Sequence, residues 1–415
     1  MNDAPMMPDL ADPYSVPLEK LDPSQPVLFQ KHLHLPYFDR LRREDPVHYT
    51  PESQFGPYWS ITKYNDIMAV DSNNKVFSSA SEFGGITIRD RRPEVRRESF
   101  IAMDAPRHDD QRKAVSPIVA PQNLARMEIG IRERCVAVLD KLPRGEAFNW
   151  VDHVSIELTT QMLAILFDFP FEDRKLLTHW SDVATTDINA GMIKSEEQRE
   201  EILAECLAYF TRIWNERLNA DMRPDLISMM AHAPATRNMT PDQFLGNLIL
   251  LIVGGNDTTR NSMSGGLWAL SQNPAEYQKL RENPGLVDSM VPEIIRYQTP
   301  LSHMRRTALE DAEVGGKQIK KGDKVVMWYC SGNRDETAIE DPNAFIIDRK
   351  RPRQHLSFGF GIHRCVGNRL AEMQLKILWE EIMLRFPKIE VLGPPKRVFS
   401  SFVHGIEDLQ VVIPA

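Results

Sequence analysis

One cysteine and the glycines beside it constrain this chain more than any other feature. Cys365 lies in the run Phe-Gly-Phe-Gly-Ile-His-Arg-Cys-Val-Gly over residues 358–367, directly before an apolar helical pattern. Gly361 and Gly367 carry no Cβ, so the backbone there can close beneath a flat molecule. The dipole and free N–H groups at a helix N-terminus favour an anionic sulfur. The segment predicts a thiolate offered to a metal; the alternative is a buried structural cysteine.

Charge and composition exclude several classes of protein. The net charge is −8, whereas nucleic-acid-binding domains are normally basic, so we expect no nucleic-acid partner. The four cysteines show no paired spacing, which predicts neither a cysteine zinc site nor disulfide bonds and fits a reducing cytoplasm. The N-terminus lacks a signal-peptide pattern. The longest purely apolar run, Leu248 to Val253, is far shorter than the roughly 20 residues that span a bilayer. We therefore expect a cytoplasmic protein with no membrane anchor.

The hydrophobic pattern divides the chain into two regions. Residues 1–35 are rich in proline and predict an extended arm. Residues 36–415 predict a single domain that is mainly α with a minor β region, because helical periodicity dominates and no internal repeat interrupts it. Short β-prone runs at 47–49 and 58–61 predict a hairpin, and the run at 325–329 predicts a later strand.

The longest predicted helix covers residues 241–272. Thr240 and Gln243 form a capping box at its start, and its length is on the order of 48 Å. Gly254 and Gly255 in its middle each cost about 1 kcal/mol relative to alanine. Taken alone, they favour close packing against another backbone. The alternative is a local opening of the hydrogen-bond ladder, which threonine hydroxyls would help to maintain.

Two motifs of this chain resemble those of the cytochrome P450 family, and they occur in the family's order along the sequence. The loop at 358–367 matches every fixed position of the family's haem-binding pattern, Phe-x-x-Gly-x-x-x-Cys-x-Gly. The run Gly-Gly-Asn-Asp-Thr at 254–258 matches the family's acid–alcohol motif in the long helix above haem. The resemblance implies the cytochrome P450 fold, with haem between that helix and the cysteine loop. It implies haem b with Cys365 as the axial ligand of iron, and Phe358 and Gly367 as further haem-binding residues.

The resemblance also implies a catalytic pair and a set of cations around haem. Thr258 and Asp257 would deliver protons during oxygen activation, because that chemistry needs a hydroxyl near iron and an ionisable group behind it. The haem propionates need cationic partners. The implied partners are His108, Arg112, Arg306 and His363. Arg305 beside Arg306 leaves open which of these two arginines takes the role.

Residues 254–262 and 304–308 resemble bacterial alkane and fatty-acid terminal hydroxylases. This implies a monooxygenase that uses O₂ to hydroxylate the terminal methyl group of a medium-chain n-alkane or fatty acid. The expected pocket residues, placed by position and mostly apolar, are Phe83, Ile86, Ile88, Gly254, Leu301, Phe402 and Val403. Arginines between 89 and 97 are candidates to meet a carboxylate; the alternative is a solvated surface.

The sequence contains no flavin or nicotinamide fingerprint, so electrons must come from another protein. The resemblance implies NAD(P)H, a reductase and a 2Fe-2S ferredoxin, and we expect a monomer. A basic patch would steer an acidic ferredoxin; its candidates are Lys113, Arg353, Arg364 and Arg369. The alternatives are a P450 that hydroxylates a terpenoid or steroid, a peroxygenase driven by H₂O₂ and a haem-based sensor. Peroxygenases of this family replace the acid–alcohol pair with arginine and proline, and a sensor needs no proton relay.

Overall fold

The computed structural model describes residues 10–415, apart from the side chain of Glu94. The first nine residues of the predicted arm lie outside this range. In chain order the helices are α1 (Pro26–Gln30), α2 (His34–Glu44), α3 (Tyr64–Ser72), α4 (Arg107–Val115), α5 (Pro121–Leu139), α6 (Glu157–Phe167), α7 (Lys175–Thr185), α8 (Glu196–Leu218), α9 (Leu226–His232), α10 (Pro241–Gln272), α11 (Pro274–Glu282), α12 (Val287–Gln298), α13 (Tyr329–Gly332) and α14 (Asn368–Arg385).

The strands are short and most of them lie towards the two ends of the chain. They are β1 (Val47–Thr50), β2 (Tyr58–Ile61), β3 (Phe77–Ser78), β4 (Ala147–Asn149), β5 (Met304–Ala308), β6 (Ala312–Val314), β7 (Lys317–Ile319), β8 (Lys324–Met327), β9 (Glu390–Val391), β10 (Lys396–Arg397), β11 (Ile406–Asp408) and β12 (Gln410–Val412). The prediction of a mainly α protein with a minor β region is confirmed.

Helix α10 is the centre of the helical part, where it packs against α6, α7, α12 and α14. Its capping box is present, since the Thr240 hydroxyl accepts from the Gln243 N–H and the Gln243 side chain accepts from the Thr240 N–H. A Cβ on Gly255 would lie 2.7 Å from Leu163 Cδ2 of α6, whereas a Cβ on Gly254 would meet nothing within 4 Å. Close packing therefore explains Gly255, although its neighbour is a side chain and not backbone, and it does not explain Gly254.

The largest sheet has the order β1-β2-β8-β5-β3. The predicted hairpin is confirmed by the antiparallel pairing of β1 with β2, in which Val47 faces Ile61. The predicted later strand ends at Met327, two residues early, because the chain turns into α13 at Tyr329.

The described part of the N-terminal arm is folded against the sheet and is not extended. Leu21, Leu28 and Phe29 are fully buried in a cluster with Tyr58 and Trp328. Apolar side chains between the prolines thus find partners that composition alone does not reveal. Among the helices described between residues 10 and 415, none has both the length and the apolar character needed to cross a membrane.

Candidate active site

The loop before α14 holds Cys365 at the wall of a large internal cavity. The loop closes on itself through a hydrogen bond of 2.8 Å from the Cys365 N–H to the Phe358 carbonyl oxygen. Gly361 has a left-handed φ of 66°, and a Cβ there would lie 2.6 Å from the Asp71 carbonyl oxygen of α3. Gly361 therefore permits the loop to approach α3. Gly367 lines the cavity and has no neighbour that a Cβ would meet within 4 Å.

The electrostatic surroundings of the Cys365 sulfur are mixed. Burial raises the pKa of the thiol, and the Gly367 N–H together with the guanidinium groups of Arg112 and Arg364 acts in the opposite direction. The thiol is free of any disulfide bond. A cavity-facing sulfur with cationic neighbours suits a metal-bound thiolate, because both the metal and these cations favour the anion.

Two histidines beside the loop each carry a ring nitrogen that is buried and without a partner. His108 and His363 are in edge contact, with ring centroids 4.3 Å apart. His108 Nδ1 lies 2.7 Å from Asp109 and His363 Nε2 lies 2.9 Å from the Ser79 hydroxyl. His108 Nε2 and His363 Nδ1 have no partner among the described residues. Burial lowers the pKa of both rings, that of His363 to about 2.

The arginines near Cys365 differ in whether a carboxylate already neutralises their charge. Arg112 donates to the Arg364 carbonyl oxygen at 2.6 Å and has no carboxylate partner among the described residues. Arg306 lines the cavity but forms a buried ion pair of 2.6 Å with Asp71. Arg305 pairs with Asp90 and does not line the cavity. The structure therefore favours Arg306 over Arg305, although Asp71 already compensates the charge of Arg306.

These features fit a flat cofactor that carries two carboxylates. Two ring nitrogens without partners among the described residues, His108 Nε2 and His363 Nδ1, lie beside Arg112 at the edge of the cavity, and each can donate to a carboxylate when it carries a proton. Gly367 leaves the wall open, and Cys365 offers a metal ligand. Buried polar groups are nearly always satisfied, so these atoms indicate a missing polar partner, and haem propionates have the required charge.

Helix α10 also lines the cavity, through residues that include Gly254 and Thr258. The Thr258 hydroxyl donates to the Gly254 carbonyl oxygen, one turn earlier, at 2.8 Å. The helix is continuous from Pro241 to Gln272, so the alternative interpretation of its two glycines, a local opening of the hydrogen-bond ladder, is not present. Gly254 instead widens the cavity, since no side chain projects there.

Asp257 does not line the cavity and is fully buried on the α7 side of α10. Its carboxylate accepts from the hydroxyls of Ser181 and Thr185 at 3.1 and 3.2 Å, and it pairs with Arg260 at 3.1 Å. Arg260 also binds Asp182 at 2.6 Å. Burial opposes the charge of Arg260, but Asp257 and Asp182 outweigh it and raise the Arg260 pKa.

The network around Asp257 was not predicted from the sequence. One local signal was present, because Arg260 follows Asp257 at the i,i+3 spacing that brings two side chains together on a helix. The hydroxyls and the second carboxylate come from α7, more than 70 residues earlier in the chain. No pattern within α10 could have identified them.

The cavity has a volume of about 430 Å³ and a mainly apolar wall. Five of the expected pocket residues line it, namely Ile86, Ile88, Gly254, Leu301 and Phe402. Phe83 does not, because it is 43% exposed in a turn, where its own carbonyl oxygen accepts from Arg305 and Thr307. Val403 is 3% exposed and does not line the cavity either, although its bridge partner Leu301 does.

Arginines also line this cavity, and most of them are paired. Arg89 binds Asp187, Arg97 binds Glu200 and Arg199 binds Glu196. Arg96 donates to backbone carbonyl oxygens. Arg91 lines the same cavity with no hydrogen-bond acceptor or carboxylate partner among the described residues. Burial, with repulsion from Arg199 and Arg97, lowers the Arg91 pKa.

Comparison with known proteins agrees with this geometry. The cytochrome P450 family model matches residues 133–404. The structure of CYP153D17 from Sphingomonas sp. PAMC 26605 is 48% identical and superposes with a TM-score of 0.90, covering 95% of this chain and 99% of that one.

Two curated relatives align over nearly their whole length. Linalool 8-monooxygenase of Pseudomonas putida is 36% identical, over 95% of this chain and 99% of the relative. The methyl-branched lipid omega-hydroxylase of Mycobacterium tuberculosis is 31% identical, over 90% of both. The chain therefore belongs to the cytochrome P450 family and is a haem-dependent monooxygenase that takes electrons from a redox partner and oxidises a lipophilic substrate.

Proposed function

We propose that this protein hydroxylates the terminal methyl group of a medium-chain hydrocarbon, an n-alkane or a fatty acid. The observation that carries the proposal is one cavity lined by Cys365 and Thr258, by apolar side chains and by Arg91, for which the described part of the chain supplies no partner. Terminal C–H bonds are stronger than internal ones, so selectivity requires that the chain be held end-on. The resemblance to an omega-hydroxylase supports the same chemistry.

In this proposal Cys365 binds the iron of haem b, and His108, Arg112, Arg306 and His363 hold its propionates. Phe358 and Gly367 complete the loop. Haem supplies the activation of O₂ when it is bound. The assignment is tested by the absorption spectrum of the reduced, carbon-monoxide-bound protein. Cys365→Ser should lose the Soret band typical of a thiolate ligand, and a retained band would contradict the assignment.

The proposed proton path uses the two sides of α10. Thr258 lines the cavity. Its hydroxyl can exchange its hydrogen bond to the Gly254 carbonyl oxygen for a hydrogen bond to a group inside the cavity. Asp257 lies behind it and accepts hydrogen bonds from the Ser181 and Thr185 hydroxyls, which would pass protons along the path. Asp182, which is partly exposed, places the network within reach of solvent. A path of this kind supplies protons and keeps bulk water out of the cavity.

Arg91 favours a substrate that carries a carboxylate. Its neighbours Arg89, Arg97 and Arg199 are all paired with carboxylates, whereas Arg91 has neither a carboxylate partner nor a hydrogen-bond acceptor among the described residues. A partly buried charge without a counter-ion is unfavourable. A fatty-acid carboxylate would bind Arg91, while the apolar chain extends towards Cys365.

Product chromatography tests the proposed regiochemistry. Purified protein with a working electron supply should convert octane and dodecanoate to their terminal alcohols. Exclusively internal hydroxylation of both would contradict the proposal. Linalool belongs in the same screen, because the similarity to linalool 8-monooxygenase makes a terpenoid the second candidate substrate.

We further propose that a 2Fe-2S ferredoxin, reduced by NAD(P)H through a reductase, docks on the cysteine side of the protein. Arg364 and Arg369 are exposed there without a carboxylate partner among the described residues, and Lys113 is also exposed. Arg353 is paired with Glu372 and contributes less charge. Reduction rates should fall steeply with ionic strength; rates independent of salt would contradict this docking surface.

A monomer in the cytoplasm completes the proposal. The four cysteines are free in the structure, as a reducing compartment would leave them. Size-exclusion chromatography with light scattering tests the monomer, and a dimeric mass would contradict it.

A further inference from the structure

Three histidines meet outside the cavity, where the N-terminal segment crosses the turn that follows Phe402. They are His32, His34 and His404, and each offers a ring nitrogen within 4.8 Å of the other two. The ring centroids are 5.3, 5.7 and 4.9 Å apart. Nothing in the proposed oxidation uses this cluster, because none of the three lines the cavity.

His34 is the member that most needs an explanation. It is the first residue of α2 and is 1% exposed, and neither of its ring nitrogens has a hydrogen-bond partner among the described residues. Its ring stacks on Phe29 at 4.4 Å. Buried polar atoms are almost always satisfied in native proteins, so His34 indicates a partner that the described protein atoms do not supply.

His404 is already oriented as a ligand. Its Nδ1–H donates to the Gln298 carbonyl oxygen at 2.7 Å, which leaves the lone pair on Nε2. Metal-binding histidines usually have their other ring nitrogen held by a backbone carbonyl in this way. Within residues 10–415, the only hydrogen-bond partner of His404 Nε2 is the Arg397 guanidinium, at a long 3.4 Å.

The geometry points to a binding site for one transition-metal ion at His32, His34 and His404. Imidazole nitrogens suit zinc, copper and nickel, whereas calcium and magnesium require oxygen ligands that this cluster lacks. Tetrahedral coordination places ligand nitrogens about 3.4 Å apart, so the rings must approach by about 1 Å. His32 is exposed and leaves a fourth position open to water.

Arg397 sets the strength of this site. It is 7% exposed, forms no ion pair in the described chain, and contacts His404 as its only side-chain hydrogen-bond partner. Its charge repels a bound cation, and its guanidinium must release His404 Nε2 before that nitrogen can ligate. We therefore expect a site of moderate affinity, which is strengthened when the charge of Arg397 is removed.

An ion at this site would fasten two distant parts of the chain together. The backbone N–H of His404 donates to the Pro300 carbonyl oxygen at 2.9 Å. Leu301, which follows Pro300, and Phe402, two residues before His404, line the cavity. The segment that carries His32 and His34 would thereby be tied to the cavity wall. Ligand binding to the folded state alone raises its stability.

The test uses the full-length, haem-loaded protein with any histidine tag removed. After equilibrium dialysis against micromolar ZnCl₂, elemental analysis should find one zinc per chain in addition to the haem iron. The midpoint of thermal unfolding should rise by about 3 °C when zinc is a hundredfold above its Kd. Absence of bound zinc at this concentration overturns the proposal.

Three variants locate the zinc. His32→Ala should weaken zinc binding by about tenfold or more, and it should fold normally because His32 is exposed. His153→Ala, which removes another exposed histidine, should bind zinc as wild type does. Arg397→Gln should bind zinc more tightly. Equal zinc affinity of His32→Ala and wild type overturns the site, and unchanged affinity of Arg397→Gln overturns the placement of the ion beside His404.

Discussion

Replacing Arg91 with glutamine separates a fatty-acid substrate from an alkane. Arg91 is the cavity arginine without a partner among the described residues, and burial together with Arg199 and Arg97 lowers its pKa. A hydrogen bond between charged groups contributes about 1.5–3 kcal/mol. Loss of the charge should therefore weaken dodecanoate binding by roughly 10- to 100-fold, while binding of octane, which has no charged end, is unchanged.

The assay is a titration of the haem absorption change that accompanies substrate binding, with dodecanoate compared with methyl dodecanoate. The ester keeps the chain and removes the negative charge, so Arg91→Gln should affect the acid and spare the ester. Arg92→Gln is the matched control, because Arg92 is 64% exposed, is paired with Glu197 and does not line the cavity. Equal losses for acid and ester, or no loss for dodecanoate, would refute the role of Arg91. Terminal hydroxylation of alkanes could still hold in that case.

Three further predictions concern α10 and the stability of the fold. Asp257→Asn should lower product formation by about 100-fold and leave the substrate-binding spectrum unchanged; an unaltered rate would exclude the carboxylate from proton delivery. Gly254→Ala should stabilise the protein by about 0.5–1 kcal/mol, and more than Gly255→Ala, whose Cβ would lie 2.7 Å from Leu163; thermal unfolding that ranks them in reverse would contradict this. Burial lowers the pKa of His303 to about 4. Between pH 6.5 and about pH 4, His303 is therefore protonated in the unfolded chain but not in the folded chain. From pH 6.5 to 4, the free energy of unfolding of wild type should fall by about 1.4 kcal/mol per pH unit more than that of His303→Gln; urea unfolding curves that shift in parallel would contradict this.

Local patterns predicted the features whose causes are local. The capping box at Thr240 and the hairpin of β1 and β2 depend on neighbouring residues, and both are present. The predicted mainly α fold follows from periodicity that extends through most of the chain. The prediction of an extended arm was wrong for residues 10–35. The burial of Leu21 and Phe29 depends on a sheet that forms from residues far away in sequence.

Tertiary contacts also changed the meaning of residues that the sequence had singled out. Gly361 permits close approach to α3, a contact that spacing within the loop cannot reveal. Arg306 reaches the cavity already paired with Asp71, whereas Arg91, one of five arginines in a short cluster, has no partner among the side chains that the structure describes. Charge pairing depends on which carboxylate lies opposite, and that is a property of the fold.

The sequence by itself determined the family, the cysteine loop and the acid–alcohol pair, because each is encoded in a short run with fixed spacing. Only the tertiary structure decided that Thr258 lines the cavity while Asp257 lies behind α10 among residues of α7. It alone brought His32 and His34 to His404, across more than 350 residues of chain. Short motifs record chemistry that neighbouring residues share, whereas burial and pairing arise when distant segments pack together.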